Sequence, residues 1–153
     1  MKNVGTLVLR SSNIKNSQII NADNVYVDPT IVNSNNVELN DIIVVVRNGS
    51  KKLIGKHAQV IENMPNTVIG AFMTGIRGKQ NNFINALLST DNFKHEMYKN
   101  LGATINQITG YMFSNMSFYF PSDAEQSEIG HLFKQLDLSI TLQQHTWIFF
   151  SLK

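Results

Sequence analysis

No cysteine occurs among the 153 residues. That absence removes disulfides, thiolate nucleophiles and cysteine-based zinc ribbons together, and it fits a reducing cytoplasm. Nothing approaches the run of about 18 apolar residues that a membrane span needs, and the start, Met1-Lys2-Asn3-Val4-Gly5, lacks the apolar stretch of a signal peptide. A cytoplasmic chain with no membrane partner is therefore expected, and the Asn-X-Ser sequons at Asn48 and Asn115 are chance. Catalytic constellations are also missing. There is no Gly-x-Ser-x-Gly elbow, no Gly-x-Gly-x-x-Gly and no Asn/Asp-Pro-Pro-Tyr/Phe run. The four histidines, His57, His95, His131 and His145, stand at no metal-ligand spacing. The stretch from Gly49 to His57 is only superficially like a phosphate loop: five residues separate Gly49 from Gly55, and His57 stands where Ser or Thr must reach magnesium. A non-enzyme without metal or cofactor is the expectation.

What is present is a chain with 42% hydrophobic residues, enough to build a core within a single domain. The net charge is only +2, but it is unevenly spread. Residues 1–100 carry eleven Lys and Arg against seven Asp and Glu, or +4; residues 101–153 carry two against four, or −2. Between Arg47 and Lys56 four cations occur with no acid. Such a division suits a phosphate-facing body joined to a protein-facing tail.

Residues 1–75 read as strand and loop. Thr6 to Leu9 and Val25 to Val27 are β-type runs separated by a polar loop from Ser11 to Gln18. Asp41 to Val46 is a continuous β-branched run, the mark of a strand buried on both faces. Asn48-Gly49 signals a turn after it, with Leu53 to Gly55 and Ala58 to Ile61 returning antiparallel. Val68 to Met73 adds one more strand. Phe83, Ile84, Leu87 and Leu88 fall at helical spacing, and Phe93 and Met97 continue after a break at Thr90-Asp91. Thr109 to Asn115 reads as a short helical turn and Met116 to Phe120 as a last strand closed by Pro121.

The clearest helix starts at Ser122-Asp123-Ala124-Glu125, a capping box, and runs to about Gln144. At about 100° per residue, Ile129, Leu132, Phe133, Leu136 and Ile140 form one stripe, expected to pack on the chain's own domain. Leu138 and Leu142, with His131 alongside, lie nearly opposite and call for a partner.

Three stretches, taken in order, resemble the specificity (S) subunit of type I restriction–modification systems. The first runs from Leu7 through Arg10-Ser11-Ser12-Asn13-Ile14, then Gln18-Ile19-Ile20. The second is Leu39-Asn40-Asp41-Ile42-Ile43-Val44, then Arg47-Asn48-Gly49 and Leu53-Ile54-Gly55-Lys56. The third is Phe120-Pro121, Glu125-Gln126-Ser127-Glu128-Ile129, Leu136-Asp137 and Ile140. The likeness covers residues 5 to about 144 and implies an α+β fold: a mixed β/α target-recognition domain, residues 1–121, followed by a long C-terminal spacer helix, residues 122–145. Residues 146–153, with Trp147, Phe149 and Phe150, form a hydrophobic tail where the family continues with a Lys/Glu-rich helix. The family's full-length subunit has two recognition domains and two helices, so the resemblance implies a half-length S subunit.

It also implies a non-catalytic role: reading one half of a bipartite site in double-stranded DNA and scaffolding the methyltransferase (M) subunit, with a restriction (R) subunit in the wider complex. The alternative is a regulator of the same fold that engages other subunits and not DNA. Expected DNA contacts are Arg10, Arg47, Asn48, Lys51, Lys52 and Lys56, with Arg77, Lys79 and Gln80 on a polar loop before the first helix. Leu138, Leu142 and His131 are the expected subunit interface, joining two copies as a homodimer.

Overall fold

The computed structural model describes residues 5–101 and 106–151, with 144–151 as backbone alone. Met1 to Val4 and the side chains of Trp147, Phe149 and Phe150 lie outside the described residues. The fold is α+β. Its organising element is strand β5 (Ile42–Val45), four β-branched residues all buried. Because successive side chains of a strand point to opposite faces, the four divide between two cores. Ile43 and Val45 join Leu9, Ile14, Val37, Ala58, Val60 and Met73. Ile42 and Val44 join Ile54, Leu88, Phe93, Met97, Ile108 and Met116.

β5 is the middle strand of an antiparallel sheet between β6 (His57–Gln59) and β8 (Met73–Ile76). The second sheet places β1 (Thr6–Leu9) between β4 (Val25–Val27), antiparallel, and β7 (Thr67–Ile69), parallel, with Leu7 opposite Thr67 and Leu9 opposite Ile69. A short hairpin of β2 (Ile14–Lys15) and β3 (Gln18–Ile19) turns through Asn16 and Ser17, at φ 51° and 58°. Both positions are left-handed, as the favoured two-residue hairpin turn demands.

Helices cover the far face of the β5 sheet. α1 (Asn81–Leu88) and α2 (Asp91–Asn100) are separated by Ser89 and Thr90, and the Thr90 hydroxyl accepts the Phe93 N–H at 3.2 Å and caps α2. Thr109 caps α3 (Gly110–Ser114) in the same way. α4 (Asp123–Ser151) opens on the expected capping box: the Ser122 N–H donates to the Glu125 carboxylate at 2.9 Å, and the Glu125 N–H donates to the Ser122 hydroxyl at 3.4 Å.

Four expectations are corrected. Val68 to Met73 is not one strand but the end of β7, a turn at Gly70-Ala71-Phe72, and the start of β8, each strand in a different sheet. Leu53 to Gly55 is no strand either; Lys51–Leu53 is a 3-10 turn, and the return strand starts at His57. Among the described residues Met116 to Phe120 pairs with no strand, and it serves as packing: Phe118 lies 6.1 Å from Phe93 and Phe120 lies 5.7 Å from Phe83, ring centre to ring centre.

The largest correction concerns α4. It runs past Gln144 to Ser151, and beyond Ile129, which is partly buried, its apolar stripe does not pack on the domain: Leu132, Phe133, Leu136 and Ile140 are about half exposed. The helix turns a polar and small-residue side inward instead. Gln126 is buried, donating to the Pro121 carbonyl at 2.9 Å. Gly130 sits so close to α1 that a Cβ there would come 2.6 Å from the Phe83 nitrogen. Gln18 of β3 donates to the Thr141 hydroxyl at 3.0 Å. At about 100° per residue Gln126, Gly130 and Thr141 share one side, which puts the two apolar stripes on either flank, facing water. Backbone proximity at Gly130 decides the roll of the helix, because no larger residue fits that crossing.

Candidate nucleic-acid interface

The nine expected DNA-contact residues separate into two groups at opposite ends of β5. Arg10, Arg47, Asn48, Lys51, Lys52 and Lys56 gather beyond its C-terminal end. Arg77, Lys79 and Gln80 lie beyond its N-terminal end, roughly 20 Å away at about 3.3 Å per strand residue.

At the N-terminal end the side chains are engaged within the fold. Arg77 grips Asp41 with two bonds of 2.7 Å, from Nε and Nη2, and Glu38 with a third of 2.7 Å from Nη1. Burial pushes the Asp41 carboxyl up, but the Arg77 fork, the Glu38 N–H and the guanidinium charge outweigh it and hold the group below its usual value. The same contacts raise the Arg77 guanidinium. Gln80 donates to the Asp123 carbonyl at 3.1 Å, tying the start of α1 to the start of α4. Lys79 is exposed. This end is the root of the long helix.

At the C-terminal end the loop 46–56 is held on three sides. Its backbone joins the 70–72 turn, with the Val46 and Arg47 N–H groups both donating to the Phe72 carbonyl at 2.9 and 3.2 Å. It joins the 106–108 segment through a bridge between Arg47 and Gln107 and through the Ile108 N–H to the Val46 carbonyl at 2.8 Å. It joins the 3-10 turn Ser11–Asn13 through side chains: Asn48 Nδ2 donates to Ser11 Oγ at 3.2 Å, and Lys56 Nζ to the Ser11 carbonyl at 3.1 Å. Asn48 Oδ1 also accepts the Ser50 N–H at 3.0 Å. The loop is a fixed platform, and Asn48 is one of its struts.

The cations here differ in what they face. Arg10 is paired with Asp23 at 2.7 Å. Among the described residues no ion pair engages Arg47, Lys52 or Lys56, and the Arg47 guanidinium lies 4.9 Å from the centre of the Phe72 ring. Lys52 and Lys56 border an open cleft of about 360 Å³ that Phe93, Lys94 and Met97 also line. His57 lines it too; burial holds its imidazole below the ordinary value, Nδ1–H donates to the Gly55 carbonyl at 2.9 Å, and Nε2 meets Ser89 Oγ at 3.1 Å. Among the described residues no group of acids and histidines could hold a metal ion, and no helix is long and apolar enough to cross a membrane.

Sequence reasoning missed Phe72, Ser11 and Asn13. Phe72 was hidden inside an apolar run read as strand, although Gly70 at its centre marks the break. Ser11 and Asn13 carry no signal apart from their place in the first motif. On α4, His131, Leu138 and Leu142 share one flank, all exposed.

Comparison with known proteins adds two findings. Residues 2–147 match the family model described as type I restriction modification DNA specificity domain. The chain is 30% identical over 130 residues, or 80% of its length, to the type I restriction enzyme StySPI specificity subunit of Salmonella potsdam, and that match spans 27% of the relative. The chain thus spans about a quarter of the length of the curated relative it matches.

Proposed function

The chain belongs to the type I restriction modification DNA specificity domain family, and on that basis we propose that it is a non-catalytic recognition module that reads one half of a bipartite site in double-stranded DNA and scaffolds an M subunit. An R subunit joins through that complex, and a second copy of the chain pairs through the exposed flank of α4 at His131, Leu138 and Leu142. The observation that carries the DNA reading is the loop 46–56: four cations without an acid between Arg47 and Lys56, in a loop pinned by backbone and side chains to three neighbouring segments. A rigid basic surface positions a protein on phosphates without an ordering cost at binding.

Mobility shifts on duplex DNA between 50 and 200 mM salt test it. Affinity should fall steeply with salt, and Lys51→Ala with Lys52→Ala should flatten the log–log slope by about one unit for each phosphate no longer neutralised. An unchanged affinity and slope would remove the loop from the interface. Scaffolding has its own test: co-expression with an M subunit of a type I system should give a complex that survives gel filtration. Two folded proteins eluting apart would leave no scaffold role.

A further inference from the structure

Three arginines were expected at the DNA, and the fold treats them differently. Arg10 faces Asp23, and Arg77 has all three guanidinium nitrogens engaged by Asp41, Glu38 and the Asn36 carbonyl. Arg47 has no acid partner among the described residues, and its guanidinium lies over the exposed ring of Phe72. The geometry points to Arg47 as the base-reading residue of this chain, taking a guanine edge in the major groove, with Phe72 as the positioning residue that holds its planar fork. This deepens the DNA reading proposed above and rests on it.

The N–H groups of Val46 and Arg47 donate to the carbonyl of Phe72, so Arg47 and Phe72 sit on one rigid unit. The bridge to Gln107 holds Arg47 from the other side. The backbone of Arg47 is held, and the aromatic face restricts the side chain: a guanidinium is attracted to the ring quadrupole and tends to stack on it, which leaves its N–H edges available. A planar fork with no carboxylate partner among the described residues matches the paired O6 and N7 acceptors of guanine. A lysine delivers the same charge without the fork. Lys52 and Lys56, on the same loop, supply charge for phosphates and carry no base information.

The test is selection by the 153-residue chain from a pool of duplexes with a randomised segment, followed by affinity and salt dependence on the selected sequence. Wild type should select a consensus containing a guanine preferred about 10- to 100-fold over other bases at one position. Arg47→Lys should keep the salt slope and lose that preference alone. Phe72→Leu should weaken the same position, whereas Phe72→Tyr, which keeps the ring face, should leave the consensus intact. A purely structural role for Phe72 would lower affinity for all sequences alike. If wild type selects a consensus that Arg47→Lys leaves unchanged, the Arg47 assignment falls and the DNA reading stands. If wild type selects nothing, both fall.

Discussion

Asn13 is wholly buried, and its side chain is fully used: Oδ1 accepts the Arg10 N–H at 2.9 Å, while Nδ2 donates to the Ala22 carbonyl at 2.7 Å and to Asn24 Oδ1 at 2.9 Å. It fixes the 3-10 turn that offers Ser11 to the basic loop, which gives the first motif a physical reason. Asn13→Ala should cost about 1–3 kcal/mol, because buried donors and acceptors lose their partner, and a urea melt would read it. His57 makes a prediction in pH. Its folded value lies below the unfolded one, so as pH falls below about 6.5 the unfolded chain takes up a proton that the folded chain refuses. Stability should therefore decline from pH 7.5 to 5.5, and His57→Gln should remove most of that slope; an identical slope in the variant would place its origin elsewhere. What was legible at this scale was local. The capping box of Ser122 and Glu125 spans four residues and could be seen directly, whereas Arg10 with Asp23 and Arg77 with Asp41 join residues that only the fold brings together.

Elements follow the same division. β5 announced itself through an unbroken β-branched run, and Thr90-Asp91 marked the gap between α1 and α2, because propensity and capping act over a few residues. The roll of α4 was not legible from its hydrophobic stripe. The stripe records where the helix can be apolar, while the crossing at Gly130 records where it touches, and those are different sides. Gly130→Leu should unseat the helix from α1 at a cost of about 1–3 kcal/mol, since backbone and not a flexible side chain occupies the space. Hydrogen exchange should then show faster exchange along α4, with β5 still protected. Equal protection of α4 in wild type and variant would mean that the seat lies elsewhere.

Across the whole molecule, two apolar flanks of one helix remain in water, with Leu142 68% and Leu132 57% exposed. If a second copy covers the Leu138 flank, sedimentation at tens of micromolar should show a dimer that Leu138→Glu with Leu142→Glu abolishes, and a closed two-fold pairing would direct two recognition domains at inverted half-sites. A monomeric wild type, or a double mutant that still pairs, would reassign that surface. The parallel pairing of β1 with β7 has a different consequence, one of timing. Leu7 lies opposite Thr67, so a ribosome must add sixty further residues before the first strand meets its parallel neighbour. At about 5–20 residues per second β1 waits on the order of 3–12 s. Antiparallel β4 arrives much sooner and covers one edge; the other stays open until Thr67 emerges. Nascent chains halted just before that residue should be cut by protease within β1, and chains halted well beyond it should resist.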